Sequence, residues 1–157
     1  MIERVLTKLL YTVGQIGHFG CVLYVIKNYV VEPTLCFGTS MQPTINSSSK
    51  NDVVLTEHLS SLHNLKKNDI VIVRSPKEPD STICKRITGL EGDMVETYVS
   101  DSSEYKKIQV PKGHVWLTGD NTNNSVDSRT YGPVPCGLIL GRVCYKLYPI
   151  SEFGPLT

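Results

Sequence analysis

Beyond Pro33 the chain is divided by turn residues into short apolar runs, a pattern that permits many strands and no large helix. Residues 52–57 (DVVLTE), 69–74 (DIVIVR) and 82–88 (TICKRIT) read as strands, with further candidates at 94–99, 114–118 and 138–147. Residues 46–51 are polar and serine-rich, as a loop should be. Pro76, Pro79 and Asp80 break the chain before Lys85, and 89–93 turns it again. The polar stretch 100–107 is expected to be a hairpin tip. These features predict a mainly β fold, a twisted and partly closed antiparallel sheet. At 157 residues there is room for one such domain, assigned here to 32–157.

The N-terminal part differs. Residues 9–26 (LLYTVGQIGHFGCVLYVI) hold no formal charge if His18 is neutral, and as a helix they rise about 27 Å, close to the roughly 30 Å of a bilayer's hydrocarbon core. Lys8 and Lys27 bracket the run at distances suited to snorkelling. A buried amphipathic helix is the alternative, favoured by Gln15, His18 and the glycines. The expectation is an uncleaved transmembrane helix within an anchor over 1–31, because no small-x-small cleavage site follows it. Arg4 and Lys8 favour an N-terminus on the cytosol or matrix side, with the rest of the chain across the lipid bilayer.

Several function classes are disfavoured. A net charge of +1 supplies no basic field for nucleic acid. The five cysteines are odd in number and lack a C-x-x-C pair, and the four histidines lack an H-E-x-x-H pair, so neither a disulfide framework nor a metal site is expected.

Three segments hold residues suited to chemistry. In 38–44 (GTSMQPT), Ser40 is flanked by Gly38 and Pro43, which favour a rigid outward presentation of a nucleophile, although the same residues make ordinary turns. In 84–93 (CKRITGLEGD), strand alternation places Ile83, Lys85 and Ile87 on one face, where desolvation penalises a lysine's charge. An edge strand with a solvated lysine is the ordinary alternative. The third segment, 119–129 (GDNTNNSVDSR), is dense in short polar residues, as in a loop rich in side-chain to backbone hydrogen bonds.

In this order the three segments closely resemble the signature boxes of type I signal peptidases: S-M-x-P-T, K-R-x-x-G-x-x-G-D and G-D-N-x-x-x-S-x-D-S-R. Residues 68–73 (NDIVIV) resemble a further box, with Asn68 where glycine is usual, and asparagine tolerates positive φ. Glu91, the 25 residues from 94 to 118 without an extra β domain, and the ending KLYPISEFG are similar to the mitochondrial branch of that family. The resemblance implies a signal-peptidase-like β fold and a Ser–Lys endopeptidase that needs no cofactor. Ser40 would be the nucleophile and Lys85 the general base. Ser125 would orient the lysine amine, Asp127, Arg129 and Arg86 would form a supporting charge cluster, and Met41 would pack beside the site. Substrate would bind as an added strand along Leu35, Phe37, Gly38 and Ile83. Gly38 stands where some relatives carry a serine that donates to the oxyanion.

The resemblance further implies precursor proteins with N-terminal sorting signals as substrates and a homologous second protease subunit as heterodimer partner. The place would be the mitochondrial inner membrane, with the catalytic domain facing the intermembrane space. A bacterial-type signal peptidase and a non-catalytic subunit that retains the fold are the competing readings. A self-cleaving repressor-type protease is disfavoured, since 1–33 leaves no room for a DNA-binding module.

Overall fold

The computed structural model describes residues 2–48, 51–58, 64–99 and 104–156. A helix α1 (Ile2–Val25) runs through one π turn (Ile26–Val30) directly into strand β1 (Val31–Leu35). Every described side chain of α1 is exposed, including Leu10, Ile16, Phe19 and Leu23. The amphipathic helix buried against the domain is therefore not what forms. The expected transmembrane helix needs correction as well. No helix of the described residues is long and apolar enough to cross a membrane. Thr12, Gln15, His18 and three glycines dilute the apolar run.

The domain is antiparallel. Strands β2 (Val53–Glu57), β3 (Ile70–Arg74), β4 (Thr82–Gly89), β7 (His114–Thr118), β8 (Val134–Pro135) and β9 (Ile139–Tyr148) join β1 in the order β1-β2-β9-β3-β4-β7-β8, with β10 (Gly154–Pro155) beside β9. Register shifts interrupt the β2–β9, β3–β9 and β4–β7 ladders. Such bulges add local twist and curl a sheet. Strands β5 (Met94–Val99) and β6 (Glu104–Gln109) form a separate hairpin. The expected tip is thus too long: 104–107 is strand, where Glu104 and Lys107 belong to a ladder with Val99 and Glu96, and 100–103 lie outside the described residues.

Both faces of the sheet are covered, which explains why 70–73 reads as an unbroken apolar run rather than an alternating one. Ile70 and Ile72 pack with Cys36, Met41, Ile45, Val54 and Val143 on one face. Val71 and Val73 pack with Ile87, Val115, Leu117, Val134 and Ile139 on the other. Ile87 is 0% exposed, a burial that contributes on the order of 1.5–3 kcal/mol. Met41 and Ile45 thereby pin the loop that follows β1 to the first face.

Candidate active site

Lys85 occupies the middle of β4, opposite Val71 of β3, and is only 3% exposed. The alternation expected for 83–87 holds, since Ile83 and Ile87 belong to the second cluster and Cys84 to the first. From that buried position the Lys85 Nζ donates to the Ser40 Oγ at 2.7 Å. Burial lowers the pKa of Lys85, and this outweighs the opposing pull of the Asp127 carboxylate. A lysine held this way loses its proton more readily than one in water. Among the described residues its amine has no other hydrogen-bond partner.

The Ser40 loop is fixed from both sides. Gly38 has φ +87, a conformation that disfavours any side chain. After it, Met41 and Ile45 anchor the loop in the core. From the third segment the Asn121 N–H donates to the Ser40 carbonyl at 3.0 Å, and Asn121 Nδ2 and Asn124 Nδ2 reach the Thr39 carbonyl and hydroxyl. The peptide N–H of Ser40 takes no partner among the described residues, and so stays free to donate.

The supporting charges divide into two pairs rather than one cluster. Asp127 is fully buried and accepts from Arg129, from the Gly119 N–H and from the Ser125 hydroxyl. Burial pushes the Asp127 pKa up, but these hydrogen bonds outweigh it and hold the carboxyl below its usual range. Arg86, on the opposite face of β4 from Lys85, pairs with Asp120 instead, through Nε and Nη2. Ser125 is positioned differently from expectation: its hydroxyl donates to Asp127 at 2.7 Å, and no hydrogen bond joins it to Lys85 among the described residues.

Three contributors had no individual role assigned from the sequence. Asp120 binds Arg86 and accepts from the Thr44 hydroxyl at 2.6 Å. Gly119 is required by proximity, because a Cβ there would collide with the Ser125 side chain and the Ser40 carbonyl. Asn46 lines the cleft from below. The first two stood inside the G-D-N box and were legible as box members; nothing in the sequence marked Asn46.

A cleft of ≈ 170 Å³ opens beside the Ser40–Lys85 pair, lined by Leu35, Phe37, Gly38 and Ile83 together with Cys36, Met41 and Cys84. Asn68, in the turn before β3, has φ 75, in keeping with asparagine's tolerance of that region.

The sequence profile described as signal peptidase, peptidase S26, matches residues 9–102 and 97–148. Mitochondrial inner membrane protease subunit 1 of Homo sapiens is 47% identical over 156 residues, covering 98% of this chain and 92% of the relative. The Xenopus tropicalis protein of the same name is 44% identical, covering 99% and 92%. Mitochondrial inner membrane protease subunit 2 of Saccharomyces cerevisiae is 38% identical, covering 85% and 77%. A signal peptidase I structure from Enterococcus faecalis superposes with a TM-score of 0.44 at 22% identity, covering 52% of this chain and 97% of that one. With nearly its whole length matched at such identity, the chain belongs to the peptidase S26 family of signal peptidases.

Proposed function

We propose that this protein is a serine endopeptidase that removes N-terminal sorting peptides at the mitochondrial inner membrane, with Ser40 as nucleophile and Lys85 as general base. The observation that carries the reading is the 2.7 Å hydrogen bond between a 3%-exposed lysine amine and the serine oxygen. A serine becomes a competent nucleophile when a neutral base lies within hydrogen-bond reach. Neutral Lys85 takes the Ser40 hydroxyl proton as Oγ attacks the scissile carbonyl. The free Ser40 N–H donates to the oxyanion, where a preorganised dipole is most effective. Protonated Lys85 then gives its proton to the leaving amine, and the acyl-enzyme remains. Water, deprotonated by Lys85, hydrolyses that ester and restores the Ser40 hydroxyl.

The substrate lies extended in the cleft, as an added strand between 35–38 and 83–85. Gly38 brings no hydroxyl to the oxyanion. Arg86, Asp127, Arg129 and Ser125 act as supports that keep the three segments in register, and Met41 acts through packing. The relatives' names support the inner-membrane location, and the existence of a subunit 2 relative supports a heterodimer with a homologous second subunit. The uncovered apolar surface of α1 supports attachment of 1–31 to a membrane without requiring that the helix cross it. The domain 32–157 facing the intermembrane space is part of the proposed reading.

The deciding experiment compares wild type, Ser40→Ala and Lys85→Met on a precursor peptide, each purified with its partner subunit. Both variants should fold and neither should cleave; turnover by Ser40→Ala would put the nucleophile elsewhere. Carbonate extraction of membranes tests the anchor, and release of the intact chain into the soluble fraction would refute it.

A further inference from the structure

Below the cleft lies a buried polar network that the proposed chemistry does not use. Asn46 is 5% exposed and has φ 59, a left-handed position that asparagine tolerates. Its side-chain amide donates to two carbonyls of the cleft wall, those of Cys36 at 3.2 Å and Gly38 at 2.8 Å. Its Oδ1 accepts from the Asp52 N–H at 2.7 Å, and its own N–H donates to Asp52 Oδ2 at 2.8 Å. Behind it, Lys146 bridges the fully buried Asp52 at 2.9 Å and Glu152 at 2.6 Å. Asn46 is thus held from its backbone N–H, its Oδ1 and its Nδ2, while Asp52 Oδ2 is shared between the Asn46 N–H and Lys146.

The geometry has a consequence for the wall. The Cys36 N–H is also taken, by the Asp52 carbonyl at 2.9 Å. Peptide groups of an extended chain alternate in direction. With residues 36 and 38 turned toward Asn46 and Asp52, the peptide N–H and C=O of Phe37 are turned the other way. Among the described residues they have no partner, while the Phe37 side chain stands exposed.

We propose that Asn46 is the positioning residue for extended substrate: it locks 36–38 so that the peptide groups of Phe37 are presented to the bound chain. The inference rests on the proposed peptidase reading and deepens it, since Asn46 touches neither Ser40 Oγ nor Lys85. Substrate length on the amino-terminal side of the cut is then recognised through main-chain pairing that Asn46 preorganises, and the Lys146 ion pairs brace it from behind.

The test uses Asn46→Gly, which keeps the left-handed backbone, and Asn46→Asp, which keeps shape and Oδ1 but loses both donors. Each is assayed with its partner subunit on a long peptide and on one cut short on the amino-terminal side of the scissile bond. For the long peptide KM should rise about tenfold with kcat nearly unchanged, the loss of roughly one net hydrogen bond. The short peptide should be cleaved as by wild type, and the acid limb of the kcat profile should stay in place. An unchanged KM for the long peptide overturns the proposal. So does an equal loss on both peptides, or a failure of both variants to fold, because Asn46 would then be structural. Cleavage by a parallel Ser40→Ala control would instead refute the underlying peptidase assignment.

Discussion

Arg86 and Asp120 meet through two parallel hydrogen bonds, Nε to Oδ1 and Nη2 to Oδ2, each 2.8 Å long. The same carboxylate accepts the Thr44 hydroxyl, so one pair ties the strand of Lys85 and the loop of Ser40 to the third segment. Asp120→Ala leaves the Arg86 guanidinium with the Asn68 carbonyl as its remaining acceptor, and Thr44 without one. It should cost about 1.5–3 kcal/mol, the usual loss for hydrogen bonds to a charged group. Chemical denaturation reads the cost, and peptide cleavage should fall alongside it. An unchanged midpoint would show the pair to be idle.

Gly119 admits no larger residue without movement. A methyl group in Gly119→Ala would press on the Ser125 side chain and the Ser40 carbonyl. Overpacking of this kind costs typically ~1–3 kcal/mol, and here the displaced atoms adjoin the nucleophile. The expected result is a kcat loss larger than the fall in stability explains. Equal kcat in a folded variant would mean that the loop absorbs the methyl.

Lys85 trades stability for reactivity. Its pKa is lowered by burial, so the folded state binds the proton less well than the unfolded chain. The penalty is full below the folded pKa and fades as pH rises toward the unfolded value. Lys85→Met should therefore be inactive yet more stable at neutral pH, by on the order of 1 kcal/mol, with the gain shrinking in alkali. Lys85→Arg should be inactive because a guanidinium keeps its proton. In wild type, kcat should climb with pH along the acid limb. Melting curves of Lys85→Met across pH check the sign, and a less stable variant at neutral pH would reverse it.

Asp127 behaves in the opposite sense. Its carboxyl lies below its usual range, so its contribution is present above the unfolded pKa of about 3.9 and is lost as pH falls through the folded value. Arg129→Ala removes two of the side-chain hydrogen bonds that hold it down. The acid unfolding midpoint should shift to higher pH while the alkaline side stays put. Superimposable acid curves would mean that Arg129 adds nothing to the Asp127 site.

The three chemical segments were legible in combination rather than singly. A serine between Gly38 and Pro43, a lysine between Ile83 and Ile87, and a polar run from Gly119 to Arg129 each admit an ordinary structural reading, and only their order along the chain resembles the signal-peptidase boxes. Strands β2, β3, β4 and β7 were legible one by one, since apolar runs bounded by turn residues leave few alternatives. Strand β6 was missed because its residues, such as Lys106 and Lys107, are polar; only pairing with β5 makes them a strand. The partner of Arg86 was misassigned because Asp120 and Asp127 both stand in the third segment, and only folding shows which one faces β4. Asn46 was invisible, being one asparagine in a serine-rich loop whose partners, Cys36, Gly38 and Asp52, carry no pattern that marks them.

The direct passage from α1 through one π turn into β1 sets a tether. Ten residue steps lead from Val30 to Ser40, a contour of at most ~36 Å even if fully extended. If α1 is held at the membrane as proposed, that contour is the upper limit on how far the reactive oxygen stands from the end of the helix. A scissile bond is then selected partly by altitude: peptides whose cleavable position emerges close to the membrane plane come within range, and identical sequences displayed far out in a folded domain do not.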